Sequence, residues 1–204
     1  MSDNALVLAV GKKGSGKTYK LQQIAKRCRR AIIADPEGKW PVRRGDQVVT
    51  SGLSLTRFLR DVGALDPRVR FRVVYRGEDV ERMALAAPGA AFCVRNVTLV
   101  FDELAWITPR AQPPLYLSRL VQFGRERRVN LLATTREPQE IPDLIFSQAD
   151  LVYFFQVQPG NGLDRLRRRY GVELASALPT LAARNFRTYG NEADVLPLFG
   201  HEGS

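Results

Sequence analysis

Gly11-Lys12-Lys13-Gly14-Ser15-Gly16-Lys17-Thr18 is the stretch on which the fold turns. It has the spacing G-x-x-x-x-G-K-[ST], the loop that wraps nucleotide phosphates. Gly11, Gly14 and Gly16 let the backbone approach phosphate oxygens and turn its N–H groups toward them. The positive end of a following helix adds to that field. Lys17 suits the β and γ phosphates of ATP, and Thr18 offers its hydroxyl to Mg²⁺. Lys12, Lys13 and Ser15 complete the cradle. The flanks agree with this reading. Ala5–Val10 is an unbroken apolar run that reads as a strand, and from Thr18 to Arg30 the residues Leu21, Ile24, Ala25 and Cys28 recur at helical spacing.

Outward from the loop, apolar runs alternate with helical patterns. Strands are expected at 31–34, 71–75, 97–101, 129–133 and 151–157, with helices at 53–62, capped by Ser54, and within 113–128. Several strands are apolar throughout, which fits burial on both faces. The expected fold class is therefore α/β, a mostly parallel central sheet flanked by helices. After Pro159 the pattern weakens to an arginine-rich helix near 164–169 and a strand near 185–189. One P-loop domain spanning residues 1–204 is expected, with its core at about 5–157 and a C-terminal extension at about 158–204.

Thr98-Leu99-Val100-Phe101-Asp102-Glu103 ends a buried strand in two carboxylates, at the sheet edge where open α/β folds bind ligands. Asp102 suits the outer shell of Mg²⁺, and Glu103 suits a base that orients and deprotonates water. A kinase needs no base for water, so the glutamate favours hydrolysis over phosphate transfer to a small molecule.

The chain of 204 residues carries a net charge of +10, and only six of its 31 basic residues are lysine (Lys12, Lys13, Lys17, Lys20, Lys26, Lys39). Excess positive charge points to a polyanionic partner. No helix-turn-helix, zinc-finger or RNA-binding signature is present, so contact with double-stranded DNA through its backbone is expected. The arginine clusters are 27/29/30, 43/44, 68/70/72/76 and 165/167/168/169. The first reads as structural, at the end of the first helix. The segment 105–114, with its prolines, Trp106 and Arg110, is either a loop directed at DNA or a packed surface loop. No apolar stretch reaches the length of a membrane span, and no secretory signal is evident. Cys28 and Cys93 have no metal-binding spacing and read as free, buried thiols. Trp40 is expected to pack at the sheet edge, and His201 to be silent.

A third segment carries a family resemblance. Gly124-Arg125-Glu126-Arg127-Arg128, the strand Val129–Ala133, Thr134-Thr135-Arg136-Glu137-Pro138, Ile141-Pro142 and Ser147-Gln148-Ala149-Asp150 together resemble the HerA–FtsK superfamily of DNA-pumping ATPases. Asp35-Pro36-Glu37-Gly38 looks like that superfamily's Asp-Pro-Lys-Gly turn. A core of this size is most similar to the genome-packaging ATPases of tailless viruses with an internal membrane. The resemblance implies a RecA-like P-loop domain that hydrolyses ATP with Mg²⁺ and pumps double-stranded DNA. It implies a homo-oligomeric ring, a pentamer or hexamer, acting at capsid or membrane-vertex proteins in the host cytoplasm or on the virion. It also implies that Thr134 and Thr135 sit at the polar sensor, whose second position, usually glutamine, is Thr135 here. Arg125 aligns with the arginine offered to a neighbouring subunit's nucleotide, with Arg127, Arg128 and Arg136 as rivals. The alternatives are a phage assembly or secretion ATPase and a nucleotide switch acting through a protein partner. The absence of Asn-Lys-x-Asp makes GTP a poorer fit than ATP.

Overall fold

A computed structural model describes residues 4–77, 79–108 and 113–200. Arg110 and His201 lie outside the described residues.

The strands are β1 (Leu6–Val10), β2 (Arg30–Ala34), β3 (Gln47–Val49), β4 (Phe71–Tyr75), β5 (Val97–Phe101), β6 (Val129–Thr135), β7 (Leu151–Phe154) and β8 (Arg187–Tyr189). They form one sheet in the order β3-β4-β2-β5-β6-β1-β7-β8. Every pairing is parallel except β7 with β8. Six of the strands, β1, β2, β5, β6, β7 and most of β4, are buried along their length, which is why they read as apolar runs.

The helices are α1 (Lys17–Ala25), α2 (Gly52–Asp61), α3 (Val80–Val94), α4 (Leu115–Arg127), α5 (Asp143–Gln148), α6 (Asn161–Tyr170), α7 (Val172–Ala177) and α8 (Glu192–Val195). Leu55, Met83, Leu117, Ile145 and Leu166 pack α2 to α6 on one face of the sheet, against Leu8, Ile32 and Leu99. On the other face Leu21, Ile24, Trp40 and Phe199 pack α1 and the end of the chain against Val7, Ile33 and Leu132. Trp40, expected to pack at the sheet edge, is buried within this core cluster.

Three differences from the expected elements have physical causes. Helix α1 stops at Ala25 and not at Arg30, because the amides of Arg27 and Cys28 take short bonds to the carbonyls of Ile24 and Ala25. Arg30 instead opens β2 and donates to the carbonyls of Ala64 (2.6 Å), Asp66 (2.7 Å), Val69 (2.6 Å) and Asn96 (2.8 Å), so it pins loops together. Helix α2 is capped by Ser51, with Ser54 completing a capping box three residues later. Helix α3 lies outside the expected elements and carries Pro88 in its interior; burial of Met83, Ala84, Ala87, Pro88 and Ala91 holds it in the helix despite the low propensity of Pro88-Gly89. Of the two free thiols, Cys28 is buried as expected but Cys93 is exposed.

Candidate functional site

Residues 11–16 leave the carboxyl end of β1 and turn into α1. The Gly11 amide donates to Thr135 O (3.1 Å) and the Lys12 amide to Gln156 O (2.7 Å), so the loop is clamped where β6 and β7 end. A Cβ on Gly11 would lie 2.7 Å from Phe155 Cβ, and Gly11 and Gly16 have φ of 152° and 111°, which explains glycine at both positions. The Lys17 ammonium donates to the carbonyls of Gly11 (2.6 Å) and Lys12 (2.9 Å). Burial lowers its pKa, and the nearby Glu103 carboxylate opposes that shift. The buried Ser15 hydroxyl has no hydrogen-bond partner among the described residues. An orphaned, buried donor in a loop of this spacing fits a phosphate oxygen.

The topology brings the acidic pair to this loop. Strand β6 sits between β1 and β5, so its last residues bridge the loop and the end of β5. Thr18 Oγ1 donates to Asp102 Oδ1 at 2.8 Å, and Thr134 Oγ1 donates to the same oxygen at 3.1 Å. Thr134 Oγ1 also accepts the Glu103 amide at 2.7 Å. Glu103 has φ 76°, a left-handed conformation that costs a non-glycine residue about 1–3 kcal/mol. The surrounding bonds hold it there. Its carboxylate accepts from the Arg136 amide (3.0 Å) and pairs with Arg136 Nε (2.9 Å). Arg136 pairs in turn with Glu37, which also meets Lys39 at 2.5 Å. Burial raises the pKa of Asp102 against the bonds from Thr18 and Thr134, and raises that of Glu103 against the pull of Arg136 and Lys17.

These groups line one cleft of about 240 Å³, bounded by Lys13, Gly14, Lys17, Thr18, Glu37, Lys39, Asp102, Glu103, Thr134 and Arg136. A larger cavity, about 360 Å³, opens at the amino ends of the strands, beside Cys28, Arg29, Arg30, Arg68, Arg70 and Arg128. Its lining has no carboxylate and no strand carboxyl end, whereas the smaller cleft has both.

Thr18 Oγ1 and Asp102 Oδ1 are hard oxygen donors side by side, a set that suits Mg²⁺. No group of three or more His, Cys, Asp or Glu side chains positioned for a metal occurs among the described residues. When bound, the ion would neutralise charge on the β and γ phosphates.

Two residues that the sequence pointed to, Thr135 and Arg125, stand away from the cleft. The Thr135 hydroxyl points to Glu137 O at 3.4 Å and does not line the cleft; Thr134 does, because alternate residues of β6 face opposite sides. Arg125 lies at the amino edge of the sheet, 3.6 Å from Asp150, whose other oxygen accepts the Leu6 amide at 2.8 Å. It is at the opposite end of β1 from the phosphate loop. Arg127 stacks on Phe92, 4.6 Å from the ring centroid. Of the four arginines, Arg136 alone is brought to the cleft. Glu37 and Lys39 were not read from the sequence as site residues. The signal was available at Glu37: an acid replaces the lysine of the Asp-Pro-Lys-Gly pattern, and Arg136 supplies the complementary charge.

The fold is that of the RecA-like P-loop NTPases. It is similar to the genome packaging NTPase B204 from Sulfolobus turreted icosahedral virus 2. With that protein in complex with sulfate, identity is 21% over 93% of this chain and 92% of the other, with a TM-score of 0.70. In complex with ATP-gammaS it gives 22% identity over 93% of each chain and a TM-score of 0.69. The DNA-packaging ATPase B204 from Sulfolobus turreted icosahedral virus matches at 21% identity over 95% of each chain, with a TM-score of 0.65. No family model matches the chain, and no curated protein sequence does. Among the described residues no helix is long and apolar enough to cross a membrane.

Proposed function

We propose that the chain is an ATP-hydrolysing motor subunit that drives double-stranded DNA into a viral shell. The observation that carries this reading is the meeting of Lys17, the Thr18–Asp102 pair and Glu103 in one cleft, with Thr134 between them. In this reading Lys17 offsets charge on the β and γ phosphates, and the amides of Lys13, Gly14 and Gly16 hold their oxygens, while those of Gly11 and Lys12 clamp the loop to the sheet. Glu103 takes the proton of the water whose oxygen attacks the γ phosphorus, while ADP leaves. A buried carboxylate with a raised pKa is a better proton acceptor near neutrality. Arg136 fixes the direction of that carboxylate.

The motor part of the proposal has separate support. The protein is strongly basic. Folding gathers Arg29, Arg68, Arg70 and Arg128, distant in sequence, around the cavity at the amino edge of the sheet. Such a patch suits the phosphates of a DNA backbone without reading bases. Likeness to packaging NTPases supports the same role. Arg125, remote from its own phosphate loop, serves in this reading as the arginine presented to a neighbouring subunit in a ring of five or six copies. The setting is the host cytoplasm or the virion, with capsid or vertex proteins as partners.

The test is ATP turnover by wild type and Glu103→Gln, with and without duplex DNA, across a salt series. Wild type is expected to hydrolyse ATP faster with DNA, the gain fading as salt rises. The glutamine variant is expected to retain bound ATP uncleaved. Vigorous turnover by Glu103→Gln removes the glutamate from its role, and indifference to DNA removes the motor.

A further inference from the structure

Beyond the phosphate cleft, the C-terminal extension returns to the phosphate loop and places an arginine beside it. The Arg184 amide donates to Ser15 O at 3.0 Å. Its Cα would be 3.3 Å from a Cβ built on Gly16. The segment is anchored from both sides. The Asn185 amide closes a turn onto Ala182 O at 3.1 Å, and Phe186 packs on Tyr153 and Phe155 with ring centroids 5.2 and 5.5 Å away. Arg184 itself is exposed, with φ 68°. A non-glycine residue in that region is strained, and such strain persists where the surrounding contacts over-determine it, which happens most at ligand sites. Nothing in the phosphate chemistry described above uses this side chain.

Facing Arg184 is Tyr19, the residue after Thr18, on the first turn of α1. The residue is 61% exposed. The Arg184 guanidinium carbon lies 6.0 Å from the ring centroid. An aromatic face and a planar cation thus stand together in solvent at the mouth of the phosphate loop, on the side away from Asp102 and Glu103. Large aromatic surface left open beside a polar cradle is what a heteroaromatic ring covers, and guanidinium planes stack on such rings as well.

We infer that Tyr19 and Arg184 form the platform on which the base of the bound nucleotide stacks. This rests on the proposed binding of nucleotide at the loop. The ligand class is a nucleoside triphosphate. Stacking uses the π-face that every base has, so the platform favours a base over none and discriminates little between adenine and guanine.

The experiment is calorimetric titration of the full chain, with Mg²⁺, by ATP-gammaS, GTP-gammaS and inorganic tripolyphosphate. The variants are Tyr19→Ala, Tyr19→Phe, Arg184→Ala and Arg184→Gly. Tyr19→Ala is expected to weaken both nucleoside analogues about tenfold, from the usual loss of one base–aromatic stack, and to leave tripolyphosphate unchanged. Tyr19→Phe is expected to restore affinity. Arg184→Gly relieves the left-handed strain, so it should melt no lower than wild type and still lose nucleotide affinity as Arg184→Ala does. Unchanged analogue binding in Tyr19→Ala overturns the platform. Equal weakening of tripolyphosphate overturns it too, since that reports a disturbed loop. Failure of the wild-type chain to bind all three probes instead removes the nucleotide reading itself.

Discussion

Replacing Thr134 by valine keeps the side chain's shape and deletes the hydroxyl that joins Asp102 to Glu103. Two bonds go. The buried Glu103 amide loses its acceptor at 2.7 Å, which costs about 1–3 kcal/mol. The Asp102 carboxylate loses a donor at 3.1 Å, and bonds to charged groups are worth about 1.5–3 kcal/mol. Asp102 keeps Thr18, so the lower part of that second range applies, giving about 3 kcal/mol in all. For a chain of this length that lowers the melting temperature by roughly 6–12 °C. The catalytic effect is larger than the structural one, because Glu103 sits at φ 76° only while its amide is held. Release lets the carboxylate swing away, and misplacement by about 1 Å costs on the order of 100-fold in turnover. Thr135→Val is the internal control. Its hydroxyl makes one long bond, to Glu137 O, and its loss should cost under about 1 kcal/mol with little change in rate. Steady-state ATPase kinetics and thermal melts of both variants read the outcome. Wild-type behaviour in Thr134→Val, or a worse defect in Thr135→Val, refutes the assignment of the polar contact to Thr134.

Two further outcomes are expected. Burial holds the Glu103 carboxyl above the ordinary glutamate pKa while Arg136 pulls it down, and protonation removes its capacity as a base. Turnover should therefore fall as pH drops through that raised value, and Arg136→Ala should move this acid limb to higher pH; a pH–kcat profile in which the limb stays or moves to lower pH sinks the idea. Gly11→Ala should abolish binding of ATP-gammaS, because its Cβ would press on Phe155 Cβ at 2.7 Å, while Gly14→Ala, with nothing within 4 Å, should lose about 1 kcal/mol to its φ of 77° and still bind. Similar affinities for the two glycine variants would show that the clamp between β6 and β7 does not shape the loop.

Elements with a local signal are legible in the amino-acid order alone. The glycine spacing of residues 11–18 requires a phosphate-type loop after a strand, and the continuous apolar runs require strands buried on both faces. An acidic pair after Phe101 reads as a strand end because it stops such a run abruptly. Helix α3 is not legible in this way, since Pro88-Gly89 breaks a helix by propensity and only burial against neighbours overrides it. Strand β3 and helix α5 are too short for periodicity to register.

Strand order and side-chain direction belong to the folded molecule. Insertion of β6 between β1 and β5 puts Thr134 against the carboxylates and turns Thr135 away, and the two-residue period of a strand cannot reveal which threonine takes which side until its neighbours are known. The same arrangement carries Arg136 to Glu103 and Glu37 while leaving Arg125 at the far edge. Arg184 reaches the loop from the other end of the chain, a closeness that no local pattern encodes, because it follows from where β7 and β8 leave the C-terminal segment.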